Sequence, residues 1–356
     1  IQFMYADMPT TRAGSFTMTH CAILTSMRTS KAGNGYQSKA FDDFLSNIPI
    51  IRDRVEAKYI GLDYPTTGFM RGNSHAGKPF DPAVGTISQT SSDVLIPAFI
   101  AGYSGRNASK IYLDPFPSFR YALPNWRITY DGLVNIGNMK KIFKSFTINH
   151  AYQCTYTVGS YNSYLNWATA DGNLGFTLDE LTGEPIPSSP YNISSVSIME
   201  RFAPLIGFAV TLRNDITFNA EYRDTRTLTL NTAAGQVVES TNKGITVGAG
   251  YKIVGFNTFL KMRGSENGIS NDLTLHADFS IVNNQALIRR IENNYTQATS
   301  GSRTMNLNFT ASYIMSKRLT LSAFFEHQVN TPIVTTSAYP TTNTAYGIQL
   351  NLSLAR

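Results

Sequence analysis

The chain has 356 residues, of which 42% are hydrophobic, 12% aromatic and only 15% charged, with a formal net charge of +6. Soluble domains carry roughly 25% charged residues, so this balance, with 19 Tyr and 21 Phe against 2 Trp, argues against an ordinary water-soluble fold. The basic residues are scattered rather than gathered into a stripe, which argues against a nucleic-acid partner, and two distant cysteines, Cys21 and Cys154, offer no disulfide or metal framework.

The chain opens Ile-Gln-Phe-Met-Tyr without a leader pattern, as expected of a chain whose leader has been cleaved or, the favoured reading, of an internal or C-terminal piece of a larger protein. No stretch reads as a transmembrane helix. The most apolar run, Val94–Tyr103, is far short of the roughly 20 residues a spanning helix needs, and it contains Pro97. Any membrane crossing must therefore be made by strands, because only helices and closed barrels satisfy every backbone group in lipid.

A first strand is expected over 10–25, within a first barrel segment at 1–25. An insert or large loop fills 26–123, and it does not alternate. Inside it Phe41, Phe44, Leu45, Ile48, Ile51 and Val55 recur at helical spacing. Ser38 is the expected N-cap, Asp42 and Asp43 suit the first turn, and Pro49 is expected to kink or split the helix.

From 124 onward the sequence alternates with period 2, the signature of strands that show different faces to different surroundings. Between Ile216 and Leu230 the even positions include Ile216, Phe218, Tyr222, Leu228 and Leu230, and the odd positions are all polar, among them Thr217, Asn219, Glu221 and Arg223. The pattern returns in Leu307, Phe309 and Tyr313 against Asn306 and Asn308. It closes in Tyr346, Ile348, Leu350, Leu352 and Leu354 against Gln349 and Asn351. Strands are expected at 124–133, 144–160, 191–213, 215–231, 236–253, 272–283, 303–315, 318–330 and 345–355. Arg213–Asp215 and Met315–Arg318 form tight turns, and Ser160–Pro190, Asn283–Arg303 and Asn330–Thr344 form long loops. Val254–Asn271 must then be an excursion at the short-turn end.

Several of these runs are about twice the usual 5–6 residues of a soluble strand and match the 9–11 residues of a spanning one. The fold class is therefore all-β, a transmembrane outer-membrane β-barrel. Ile216, Phe218, Tyr222, Leu307, Phe309, Tyr313, Ile348, Leu350 and Leu352 are expected to face lipid. Thr217, Asn219, Glu221, Arg223, Asn306, Asn308, Gln349 and Asn351 are expected to face the lumen. Trp126, Tyr130, Tyr156, Tyr222, Tyr251, Tyr313 and Tyr346 fall in the apolar register and suit an interfacial aromatic girdle. Asp224 and Arg226 interrupt that register, as where a strand leaves the bilayer. The five histidines show no metal spacing, and no nucleophile stands with a base, so no enzymatic activity, metal or cofactor is expected.

A set of local motifs carries a resemblance. Ser92-Asp93-Val94-Leu95-Ile96-Pro97-Ala98-Phe99 leads to Pro115-Phe116-Pro117 and then to Leu123-Pro124-Asn125-Trp126-Arg127-Ile128-Thr129-Tyr130-Asp131-Gly132-Leu133. Phe143–His150, Tyr156–Tyr161, Ser195–Ile198, Glu221-Tyr222-Arg223, Thr227–Leu230, Phe324-Phe325-Glu326 and Val329-Asn330-Thr331-Pro332 follow. Together they resemble the C-terminal region of the SprA (Sov) family, the outer-membrane translocons of the type 9 secretion system in Bacteroidota, over nearly the whole chain.

The resemblance implies a C-terminal arc of a very large single-chain barrel; the largest known has 36 strands. It implies a last strand that pairs with the first strand of the full protein, and a pore for folded cargo bearing a C-terminal sorting domain. The implied partners are a periplasmic plug protein, an outer-membrane shuttle barrel at a lateral opening, membrane lipid and lipopolysaccharide. Two other readings stand beside it: a self-closed porin or plugged nutrient receptor, and a soluble β-rich adhesin.

Overall fold

The computed structural model describes residues 12–19, 23–28, 36–116, 124–257, 270–316, 319–334 and 338–353. The chain is mostly strand in antiparallel sheets, with few helices, and no described helix is long and apolar enough to cross a membrane. In chain order it forms β1 (Ala13–Met18), α1 (Lys39–Glu56), α2 (Ser92–Ser104), β2 (Trp126–Tyr130), α3 (Met139–Ile142), β3 (Phe143–Ser163), β4 (Trp167–Asp171), β5 (Leu174–Leu178), β6 (Pro185–Ser188), β7 (Tyr191–Leu212), β8 (Ile216–Asn231), β9 (Gln236–Asn257), β10 (Ser270–Arg290), β11 (Tyr295–Ile314), β12 (Leu319–Pro332) and β13 (Thr341–Leu352).

The large sheet runs β1-β3-β7-β8-β9-β10-β11-β12-β13, and β2 also pairs with β3. The strands expected at 10–25 and 124–133 form as β1 and β2. Both lie on the same edge of β3 and run the same way: Met18 sits opposite Tyr156, and Trp126 opposite Tyr152. β1 and β2 are thus one edge strand, broken after Met18, and the insert leaves and returns through the break. The first strand is accordingly shorter than 10–25, because Ile23–Arg28 belong to the insert; residues 1–11 and 20–22, with Cys21, lie outside the described residues.

Other expectations are corrected by packing. Asn283–Arg303 is not a long loop: β10 and β11 pair up to Arg290 and Tyr295 and leave a short turn in which Asn294 adopts a positive φ of 49°. Ser160–Pro190 holds a second, three-stranded sheet, β4-β5-β6. The Asn330–Thr344 loop is shortened from both sides by β12 and β13. Most of the expected Val254–Asn271 excursion, and the strand end at Leu354, lie outside the described residues. The turn Arg213–Asp215 forms as expected.

α1 begins at Ser38, whose hydroxyl accepts from the Phe41 N–H, and Asp42 lies in its first turn. It is not split at Pro49. The single i→i−4 bond a proline removes costs ~3 kcal/mol. Burial of Phe41, Phe44, Ile48, Ile51 and Val55 outweighs it, at about 1.5–3 kcal/mol for each large side chain. α2 has no signature in the sequence. Its apolar residues are buried all round, so they carry no periodic signal, and Pro97 again lies inside the helix. The two helices cross so closely that a Cβ on Gly102 would meet the Phe44 Cα at 2.5 Å.

Candidate functional site: a two-faced sheet and its docked insert

The register of the large sheet sorts its side chains into two faces. Leu275 stands beside Tyr251 and Ala311, Ala277 beside Ala249 and Phe309, and Phe279 beside Val247 and Leu307. The rows continue to Ile216, Phe218 and Ala220 on β8, and to Phe325, Tyr346, Ile348 and Leu350 on β12 and β13. The residues expected to face lipid therefore share one face. Thr217, Asn219, Glu221, Arg223, Asn306, Asn308, Gln349 and Asn351 all share the other. The polar face is closely knit: Glu221 and Arg223 pair at 2.5 Å, and His276 and Asp278 at 2.8 Å. Gly248 leaves room there, since a Cβ would meet Asn219 and Asp278 side-chain oxygens at 2.3 and 2.5 Å.

The lower part of the apolar face is bare. Phe218, Ile245, Val247, Phe279, Leu307, Phe309, Phe325 and the β13 residues Tyr346 (80% exposed) to Leu352 all meet the surroundings. A large apolar area open over six adjacent strands is unusual for a soluble protein. On β10 its apolar register runs from Leu273 to Ile281, nine residues, and on β11 from Met305 to Tyr313, whose ring is itself buried at the band's lower end. Spanning strands need about that length.

The top row of the band on β8, Tyr222, runs level through Ile245, Ile281, Met305 and Val329; on β13 the same row is Thr342, and the topmost apolar residue on this face is Tyr346, four residues nearer the other end.

Above the band runs a polar row, Asp224–Lys243–Asn283–Arg303, in which Asp224 and Lys243 pair at 3.3 Å. Above that row the same face is covered by the insert. Tyr156, Val158, Val196, Ile198, Leu228 and Leu230 are buried with α1 and α2 in one core. Tyr156 thus has no place in a girdle: its hydroxyl donates to the Pro115 carbonyl at 3.0 Å. Trp126 stacks on Tyr152 at 4.4 Å between ring centroids, and Tyr313 is buried, with its ring edge-on to Phe256 and its hydroxyl donating to the Phe256 carbonyl at 3.3 Å.

Arg226, two residues beyond Asp224, fastens the insert. Glu239 accepts from Arg226 Nε at 3.0 Å and from Arg289 Nη2 at 3.0 Å, and all three are buried. Arg226 Nη1 donates to the carbonyls of Thr25 and Arg28, and Arg289 Nη1 to that of Tyr36 at 2.8 Å. Tyr103 of α2 and Phe41 of α1 lie against the two guanidinium groups, each 5.7 Å from its ring centroid. Glu200, also buried, accepts from Thr25 Oγ1, from Ser26 N and from the Tyr152 hydroxyl. Buried charges persist only when paired and hydrogen-bonded, so this network fixes where the insert sits.

Of the motif Leu123–Trp126, Leu123 lies outside the described residues and Pro124 precedes β2. Asn125 fills the break in the edge strand. Its side-chain oxygen accepts from the Cys154 N–H at 2.8 Å, and its amide donates to the Thr19 carbonyl at 2.5 Å. The side chain gives the Cys154 N–H the acceptor that a continuous edge strand would have supplied, and ties the end of β1 to the start of β2. Among the described residues no group of His, Cys, Asp and Glu could hold a metal ion.

In the insert, burial pushes the Asp93 carboxyl up from its ordinary value, against a hydrogen bond from the Ser189 N–H at 2.8 Å. Burial likewise pushes Tyr164 up to about 12, with Asp93 adding to it. No family model matches the sequence, and no curated protein matches it.

Proposed function

We propose that this chain is a stretch of the wall of a very large outer-membrane β-barrel, and that the barrel is the protein-conducting channel of the type 9 secretion system. The observation that carries the membrane reading is the bare apolar band, nine residues long on β10 and backed by a polar face. A wall between lipid and water needs those two faces back to back. The two sheet edges, β1 with β2 on one side and the exposed β13 on the other, are where the remainder of the same barrel would pair. The secretion role rests on the resemblance of the Ser92–Phe99 and Leu123–Leu133 motifs and the strands that follow.

On this reading the wall works by shape. Its polar face lets folded cargo with a C-terminal sorting domain pass without gripping it. A periplasmic plug protein and an outer-membrane shuttle barrel control the two ends, and lipid with lipopolysaccharide surrounds the apolar band. The test is depletion of the chain in cells that express a reporter fused to such a sorting domain. Accumulation of folded reporter in the periplasm supports the proposal. Undiminished arrival of the reporter at the cell surface overturns the secretion role and leaves a porin or nutrient receptor.

A further inference from the structure

The insert and the apolar band are on the same side of the sheet. β8 pairs with β9 without a register shift from Ile216 to Asn231, so Arg226, Leu228 and Leu230, which hold the insert, point the same way as Ile216, Phe218 and Tyr222. Residues two apart on a strand share a face, and no bulge reverses them here. Whatever the band faces, the insert lies on that side, and Thr217, Glu221 and Asn308 on the polar face are not covered by it.

The lowest layer of the insert is Ile23–Arg28. Thr25 and Ser26 bind Glu200, which pairs across the sheet with Arg226. Leu24 is held at φ 62°, a left-handed backbone that a non-glycine residue rarely adopts, and its side chain is 38% exposed. The Tyr152 hydroxyl lies against the Leu24 backbone, and Tyr152 shares a row with Phe202 and Asp224. That row is one step, about 7 Å along the strand, above Tyr222 at the top of the band. Lys243 and Arg303 stand in the row with Asp224.

From this placement we infer that residues 36–116, with the Ile23–Arg28 layer beneath them, form a collar on the outer perimeter of the barrel, seated on the lipid headgroups, and not a plug in the channel. The inference rests on the proposed wall. The partner it names is an anionic headgroup layer, met by Leu24 as an apolar contact, by Arg303 as an exposed cation and by Lys243, whose charge is shared with Asp224.

The test uses the full-length protein in phosphatidylcholine–phosphatidylglycerol vesicles, with Cys21→Ser as background. A fluorophore is attached at Leu24→Cys, Phe309→Cys or Asn308→Cys, and quenched by nitroxide carried on either the lipid headgroup or the mid-acyl chain. The Leu24 probe is expected to lose most of its emission to the headgroup nitroxide, the Phe309 probe to the acyl-chain nitroxide, and the Asn308 probe to neither. A Phe309 probe that is quenched beside a Leu24 probe that is not would overturn the collar and leave the wall standing. A Phe309 probe that is untouched would overturn both.

Discussion

Two neighbouring residues on β11 make opposite predictions. Phe309 is the middle apolar position of the run from Met305 to Tyr313, and its cross-strand neighbours are Ala277 and Phe325. In a wall it lies near the bilayer midplane, where an Arg costs about 2–4 kcal/mol. Asn308, one residue away, is on the polar face directly between Asp278 and Glu326. An Arg there meets two carboxylates, and opposite charges across strands gain about 0.2–1 kcal/mol. Phe309→Arg should therefore lower the urea midpoint of the vesicle-reconstituted protein by the equivalent of ~2–4 kcal/mol, while Asn308→Arg leaves it unchanged or slightly higher. The intrinsic fluorescence of Trp126 and Trp167 reports unfolding. In water, an already exposed Phe309 would tolerate the change within about 0.5 kcal/mol. Equal effects of the two substitutions, or a larger cost at Asn308, would refute the two-faced wall.

Three further outcomes follow from the insert and its seams. Glu239→Gln leaves two buried guanidinium groups facing a neutral amide, a loss of the order of 3–5 kcal/mol, and should expose α1 and α2 to protease before the strands are cut. Asn125→Leu removes both bonds across the edge-strand break, so amide exchange at Cys154 should accelerate sharply; exchange at the unmodified rate would show that the Asn125 bridge is not made. At Asp93 the folded carboxyl titrates above its unfolded value of 3.8, so the native state holds its proton longer and docking weakens as pH rises through the folded value. Asp93→Asn keeps an acceptor for Ser189 N and cannot ionise. It should resist protease better than the parent at about pH 8, with the difference vanishing near about pH 4; a difference independent of pH would contradict the assignment.

Much of the large sheet is legible in the sequence because period 2 survives wherever one face is apolar and the other polar, as from Ile216 to Tyr222 or Leu307 to Tyr313. The pattern fails where both faces are polar. Asn283, Asn284 and Gln285 carry no alternation, so the upper halves of β10 and β11 read as loop although they pair up to Arg290 and Tyr295 with one register shift at Ala286/Leu287. It fails again where everything is buried: Val94–Tyr103 has no polar face from which a helical period could emerge. The Arg226–Glu239–Arg289 cluster is assembled across three strands, and its trace in the sequence is that each charge interrupts an apolar register. An interrupted register marks a charge that is either exposed or covered and paired, and the covering residues Thr25, Arg28 and Tyr36 lie about two hundred or more residues away in the sequence. The role of Asn125 needs Thr19 and Cys154 side by side, which only the broken edge strand provides.

The mass of the intact polypeptide carrying this sequence, extracted from outer membranes in detergent and measured by denaturing gel and mass spectrometry, tests the account most directly. A chain several times heavier than 39.3 kDa is the expected result, with this stretch forming one arc of its wall. A folded, membrane-embedded species of 39.3 kDa standing alone would contradict it and require β13 to close on β1 and β2.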